Sequence, residues 1–335
     1  MRNEKKLITC HLLNGIPRRR RARTQREEKG QPTTMRGPLI LLSPAKTLNF
    51  DAALSAAISS AAPTQPRLPK QTAELAGSLA KLSMPQVKSL MSLSDALATL
   101  NHERFSTFEA QPTRMAIGAF EGMAYKGLDA PSLAAEPLGY MQSHLRILCG
   151  LYGVLRPYDE IRPYRLEMST KLKVGDSANL YAYWGSSLTS TLDAEEPEWV
   201  LNIASQEYSK AIKFDAMRAP VVTAAFPGPA VHAKHARGEM ARFCAEQRVS
   251  RPEELKAFRG ANDMWSFVAD RSTAETYTFE RGAKGGAKGG GKGGAKGGAG
   301  AVAKQDGKRK EVEEAEAGDA LAAASGSSSR RRKTK

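Results

Sequence analysis

Residues 39–42, Leu-Ile-Leu-Leu, form an apolar run without alternation, and Ser43-Pro44-Ala45-Lys46-Thr47 breaks it at once. A strand with one wet face alternates apolar and polar side chains; a run that does not alternate needs cover on both faces, as strands inside α/β sheets have. Residues 200–205 and 221–226 repeat the pattern, the second ended by Pro-Gly-Pro at 227–229. Helical spacing fills much of the rest. Leu75, Leu79 and Leu82, then Val87, Leu90 and Met91, then Leu93, Leu97 and Leu100 recur every three or four residues, with start signals at Ser83 with Pro85 and at Ser94-Asp95. Residues 51–70, rich in Ala, Ser and Pro, read as a loop with one short helix, and residues 232–248 as a long helix. Ser250 with Glu253 predicts a capping box for a helix over 251–258, and residues 264–269 and 275–281 predict a closing hairpin. The expected fold class is α/β (α+β mixed), a single compact domain with a mixed sheet flanked by helices.

Charge sets the limits of that domain. Lys and Arg outnumber Asp and Glu by 11 to 3 in residues 1–37 and by 13 to 6 in 282–335, but balance at 26 each in 38–281, so the net +15 comes from the two ends. Residues 1–37 read as a basic disordered arm or targeting segment, with Arg-rich residues 18–23 and Met35 as an alternative start; they lack the apolar stretch of a secretory signal. Residues 282–301 repeat Gly-Gly-Ala-Lys-like units, which bury nothing, so disorder is expected over the tail 282–335, and this tail carries basic clusters at 308–310 and 330–333 suited to a nuclear address or a polyanion anchor. Any nucleic-acid affinity of the neutral segment 38–281 requires a local basic patch. Cys10, Cys149 and Cys244 show no CxxC pairing, which fits a reduced, intracellular protein. No run of about 18 apolar residues is present, so no membrane span is expected.

Residues 144–168 concentrate the chemistry. Leu145, Leu148, Leu151 and Tyr152 recur at helical spacing, Gly150 and Gly153 permit close approach, and Arg156-Pro157 and Arg162-Pro163 end regular structure. Arg165 and Glu167, two apart in an extended piece, point to one side. Two readings stand: arginine forks aimed at phosphate or carboxylate, or an ion-pair network that pins the turn.

Three further groups carry candidates. Ser43, Lys46 and Thr47 follow one strand and can hold an anion, although the glycines of a P-loop are missing; Asn202, Ser205 and Glu207 cluster at the end of another. Lys234, Arg237 and Arg242 share a stripe of the long helix, either phosphate-facing or merely solvated. Lys88, Asn101, His102 and Arg104 lie at junctions of short helices that form either a helical hairpin on DNA phosphates or a plain packing unit. His232 and His235 have no third ligand nearby, so no metal and no cofactor are expected.

Six blocks in order, SPAKTL at 43–48, GLYGVLRPYD at 150–159, PYRLEM at 163–168, YAYWG at 181–185, NIASQEY at 202–208 and AKHARGEMARF at 233–243, resemble the YaaA peroxide stress protein family over about residues 38–281. The resemblance implies an intracellular, cytoplasmic protein made under hydrogen peroxide stress that protects DNA by limiting damage from unincorporated iron. It also implies a positively charged cleft and a helix-hairpin-helix-like element that binds DNA. His235 stands where family members usually carry a second lysine, and both ends lie outside the family pattern.

The leading expectation is a DNA-binding stress protein whose phosphate contacts come from Ser43, Lys46, Arg156, Arg165, Lys234, Arg237 and Arg242, gathered at the carboxyl edge of the sheet. Acids such as Glu195, Glu196, Glu198, Glu253 and Glu254 are expected on the opposite surface. The alternative is a glycosylase-like enzyme on damaged bases, with Glu167, Glu207 and Asn202 as catalytic candidates.

Overall fold

The computed structural model describes residues 37–282; the basic arm and the Gly/Lys-rich tail, Cys10 among them, lie outside the described residues apart from Gly37 and Gly282. Strand β1, Pro38–Leu42, is buried at all five positions, as its unbroken apolar run requires. It pairs in parallel with β2, Leu145–Cys149, on one side, and beyond that strand lies antiparallel β3, Gly153–Leu155. On its other side β1 pairs in parallel with β4, Trp199–Asn202, followed by β5, Val221–Ala225. The hairpin read at the end of the domain is β6, Trp265–Phe267, antiparallel to β7, Thr276–Arg281, which is itself parallel to β5. The mixed sheet therefore runs β6-β7-β5-β4-β1-β2-β3.

Helices cover this sheet as the α/β expectation required. Those read over residues 71–108 are α1, Pro69–Ala80, α2, Met84–Met91, and α3, Asp95–Ser106. Ser83 and Gln86 form the capping box that starts α2, and α2 packs on α3 around Val87, Leu93, Leu97 and Ala98. Next come α4, Met123–Leu128, α5, Ala135–His144, α6, Leu180–Trp184, and α7, Ser187–Asp193. The long helix, α8, is Ala230–Gln247. Among the described residues no helix is long and apolar enough to cross a membrane.

Three expectations need correction. Leu145, Leu148, Leu151 and Tyr152 do not form a helical face: residues 145–149 are strand β2, buried at every position. In a strand covered on both faces the polar-apolar rhythm that separates period 2 from period 3.6 is absent, so spacing alone misreads it. The capping acid of the short 3-10 helix Pro252–Ala257 is Glu254, which accepts from the Ser250 and Arg251 amides, rather than Glu253. Glu195 is not an outer-surface acid. It takes the guanidinium of Arg146, a residue of β2, and that of Arg67.

Arg146 is the one charged residue of β1, β2 and β4, and its donors are all used. It bonds Glu195 and also reaches the carbonyls of Gln142, Ser143 and Leu145 at the end of α5, where a cation complements the helix dipole. Burial pushes the Glu195 carboxyl up, but the hydrogen bond and charge of Arg146, then Arg67, outweigh it and hold it below its ordinary value of 4.5. The ionised carboxylate thus stabilises the fold fully above about pH 4.5, and that contribution is lost as pH falls through the lowered value. Glu195→Gln is expected to cost about 3 kcal/mol at pH 7, since removing one partner of a buried pair strands the other. Urea unfolding at pH 7 and pH 3 checks this: the gap between variant and wild type narrows in acid, and a gap independent of pH would contradict the assignment.

Two glycines let α4 and α8 touch backbone to backbone. A Cβ at Gly238 would stand 1.7 Å from the Ala124 carbonyl oxygen, and one at Gly127 2.2 Å from that of His235. Gly238→Ala is accordingly expected to lower stability by about 2 kcal/mol through forced separation of the helices, read as a drop in denaturation midpoint; an unchanged midpoint would show that the pair parts freely.

Candidate functional site

Numbered along the chain, the five parallel strands stand in the order 2-1-3-4-5, with β1 as strand 1 and β4 as strand 3. In open α/β sheets ligands bind where such an order reverses, outside the carboxyl ends of strands 1 and 3. Ser43 follows β1 and Ser205 follows β4, and the two meet there: the Ser205 amide donates to Ser43 Oγ at 2.8 Å and the Ser43 hydroxyl donates to Ser205 Oγ at 3.2 Å. The Tyr125 hydroxyl of α4 donates to the Ser43 carbonyl at 3.2 Å.

An extended segment crosses next to this point. Gly150, just after β2, admits the Leu166 carbonyl so closely that a Cβ would lie 2.5 Å from it. Tyr164, Leu166 and Met168 are buried and alternate with Arg165, Glu167 and Ser169, which face the other way. Lys46 Nζ stands 3.0 Å from Glu167 Oε2, and Arg165 Nη2 donates to Glu167 Oε1 over 3.4 Å. Glu207 accepts from the Ser169 amide at 3.1 Å and hydroxyl at 2.8 Å, while the Tyr181 hydroxyl of α6 donates to the Glu207 carbonyl. Burial, then the charges of Glu207, Cys149 and Glu167, raise the buried Tyr208 hydroxyl well above its ordinary value.

Positive charge is in excess along this segment. Arg165 Nε is buried and faces no acceptor. Arg104, in the last turn of α3, lies close enough that burial first, and then the charge of Arg165, lower its guanidinium below the ordinary value. It makes no ion pair with the described residues. Arg162 continues the strip: it pairs with Glu109 at 3.2 Å, stacks over Phe108, and leaves its own buried Nε without an acceptor. Among the described residues, Glu167 takes both Lys46 and Arg165, and Glu109 takes Arg162.

The other candidates have different surroundings. Arg156 clamps Asp159, which is 0% exposed, and the Gln65 carbonyl, so its fork holds the turn and the 64–65 loop together. Arg242 is occupied by Asp129, Glu246, Ser132 and the Leu128 carbonyl. Lys234 is exposed. Arg237 is half-buried, with a buried Nε lacking an acceptor and no ion pair among the described residues, and burial lowers its guanidinium. Asn202 is used locally, bonding Thr223 and the Ala204 amide. In the helix pair, Lys88 is paired with Asp95, and Asn101, 1% exposed, faces the core. His235 pairs with Glu239 at 3.4 Å, and among the described residues no three His, Cys, Asp or Glu side chains gather as metal ligands would.

Sequence reading thus brought out Ser43, Lys46, Arg165, Glu167 and Glu207, which the structure brings to the switch point and its margin. It did not couple Arg104 to Arg165: Arg104 was visible only as a charge near a helix end, and tertiary packing alone makes the two neighbours.

The family model described as "Peroxide stress protein YaaA" matches residues 39–270. A protein of Janthinobacterium sp. (strain Marseille) named "UPF0246 protein" is 44% identical over 259 residues, 72% of this chain and 98% of that protein. Proteins with the same designation from Caulobacter vibrioides and Aliivibrio fischeri are 42% and 41% identical, again over 72% of this chain and 98% of their own lengths.

Arg104→Met removes a charge from beside Arg165 and strands no acid. The thermal midpoint at low salt is expected to stay level or rise, because like charges held together cost stability; a fall equivalent to about 2 kcal/mol or more would mean that Arg104 serves a structural pair instead.

Proposed function

Since this chain belongs to the peroxide stress protein YaaA family, we propose that it binds DNA through the basic strip of Lys46, Arg104, Arg162 and Arg165 and so limits oxidative damage at the phosphates it covers. One observation carries the reading: the charge of Arg165 reaches the partly buried Arg104 guanidinium, and an Nε–H of Arg165 faces no acceptor. Such an arrangement costs stability unless an anion joins it, and a phosphodiester offers oxygens to both forks. In this reading the packed helices α2 and α3, with Arg104 in the last turn of α3, would lie along the backbone, with Ser43, Lys234 and Arg237 as further contacts.

Coverage of this kind bears on iron directly. Ferrous ions bind phosphate oxygens through their charge, and guanidinium groups on the same oxygens exclude them, so radicals form farther from the sugar. The protein itself need not ligate iron for this protection.

A second reading rests on Glu167 and Glu207 flanking the switch point with Lys46, the place where α/β enzymes bind substrates. It is base removal from damaged DNA with one acid activating water. Release of a damaged base that disappears in Glu207→Gln, with DNA affinity kept, would favour it.

Binding is tested by anisotropy of a labelled duplex at two salt concentrations with the full chain and the Arg104→Met/Arg165→Met variant. The variant is expected to bind more weakly, with a log–log salt slope shallower by about 1.8, or 0.9 for each of two lost phosphate contacts. Unchanged affinity and slope would remove the strip from the interface.

A further inference from the structure

The DNA reading leaves one residue unexplained. Glu167 lies in the middle of the strip, 24% exposed, where its charge opposes any phosphate that approaches. Its two oxygens are held apart by different cations: Oε2 by Lys46 at 3.0 Å and Oε1 by Arg165 at 3.4 Å. A phosphate between a lysine and an arginine would be held in the same way, oxygen by oxygen. The backbone on either side is fixed by buried Leu166 and Met168, so Glu167 can leave by side-chain rotation into water without moving the segment. The long contact to Arg165 and the exposure of both cations, 29% for Lys46 and 19% for Arg165, make this exchange inexpensive compared with opening a buried pair.

We propose that Glu167 keeps the seat of a phosphate in the unbound protein, and that the ligand which displaces it is a terminal phosphate monoester at the switch point beside Ser43. This rests on the polyanion reading of the strip and adds a preference to it. A phosphodiester carries one negative charge, the same as the carboxylate it replaces, so the exchange gains little. A monoester carries up to two, and the second charge falls to Lys46, Arg165 and Arg104 together. Strand ends and gaps bearing phosphate are therefore favoured over continuous backbone.

The test uses the full chain and duplexes with a single-nucleotide gap whose ends carry either phosphate or hydroxyl. The wild type is expected to prefer the phosphate ends by about fivefold or more, since one extra unit charge at roughly 4 Å in a water-like dielectric has a factor of that order. Glu167→Gln, which keeps shape and loses charge, is expected to bind both duplexes several-fold more tightly with a smaller preference, and Lys46→Met to lose the preference. Thymidine 5′-monophosphate added as competitor separates the sources: if it displaces the gapped duplex at matching concentration the seat serves free nucleotides, and if it does not the seat serves strand ends, both within the proposal. Equal affinity for the two duplexes, or weaker binding by Glu167→Gln with an unchanged melting temperature, overturns it. If Arg104→Met/Arg165→Met still weakens binding in that case, DNA recognition by the strip survives and only the phosphate seat fails.

Discussion

The order of strands around β1 is the constraint on which the site depends. The chain adds β2 on one side of β1 and then returns to add β4 on the other. Right-handed crossovers send the two connections to opposite faces of the sheet, so the carboxyl ends of β1 and β4 are left with no crossover covering them. Short polar turns can emerge there, and Ser43 and Ser205 join them by two hydrogen bonds. Among the described residues, Ser43, Ser205, Lys46, Arg165, Glu167 and Glu207 lie at that point or on the segment crossing next to it. Gly150 sets the spacing by letting the Leu166 backbone come close, and the alternation from Tyr164 to Ser169 then decides which side chains face out.

A domain with 26 bases and 26 acids attracts a polyanion only where the two are not matched. Most of its arginines are matched. Arg146 closes on Glu195, Arg156 on Asp159, Arg218 on Asp193 and Arg242 on Glu246, each with further bonds to carbonyl oxygens or hydroxyls. Against that background, buried Nε–H groups of Arg162, Arg165 and Arg237 have no acceptor, and burial lowers Arg104 and Arg237 as it does Arg114. Of Arg146, Arg156, Arg218 and Arg242, Arg146 alone has every guanidinium donor taken up.

The sequence made the architecture legible wherever burial was one-sided or helical. The periodicity of residues 71–108 announced α1 to α3, and Ser83 and Ser94 marked two of the starts, because capping chemistry is local. It failed at β2, where a doubly covered strand containing an arginine looks like an irregular amphipathic piece. It also grouped arginines by residue type and loop position, which cannot show whether a carboxylate waits across the fold: Glu195 for Arg146 and Asp129 for Arg242 are contacts of the folded chain. The pairing of Arg165 with Glu167 was legible because two residues apart in an extended segment fixes a shared side.

The most direct test follows the Arg165 Nε–H group itself by proton–nitrogen NMR of arginine side chains during titration with a short duplex. The account predicts that this signal moves downfield and exchanges more slowly with water as DNA binds, since an unpartnered donor acquires a phosphate acceptor, while the Arg156 signal, already bound to Asp159, stays in place. DNA binding that leaves the Arg165 signal unchanged would contradict it.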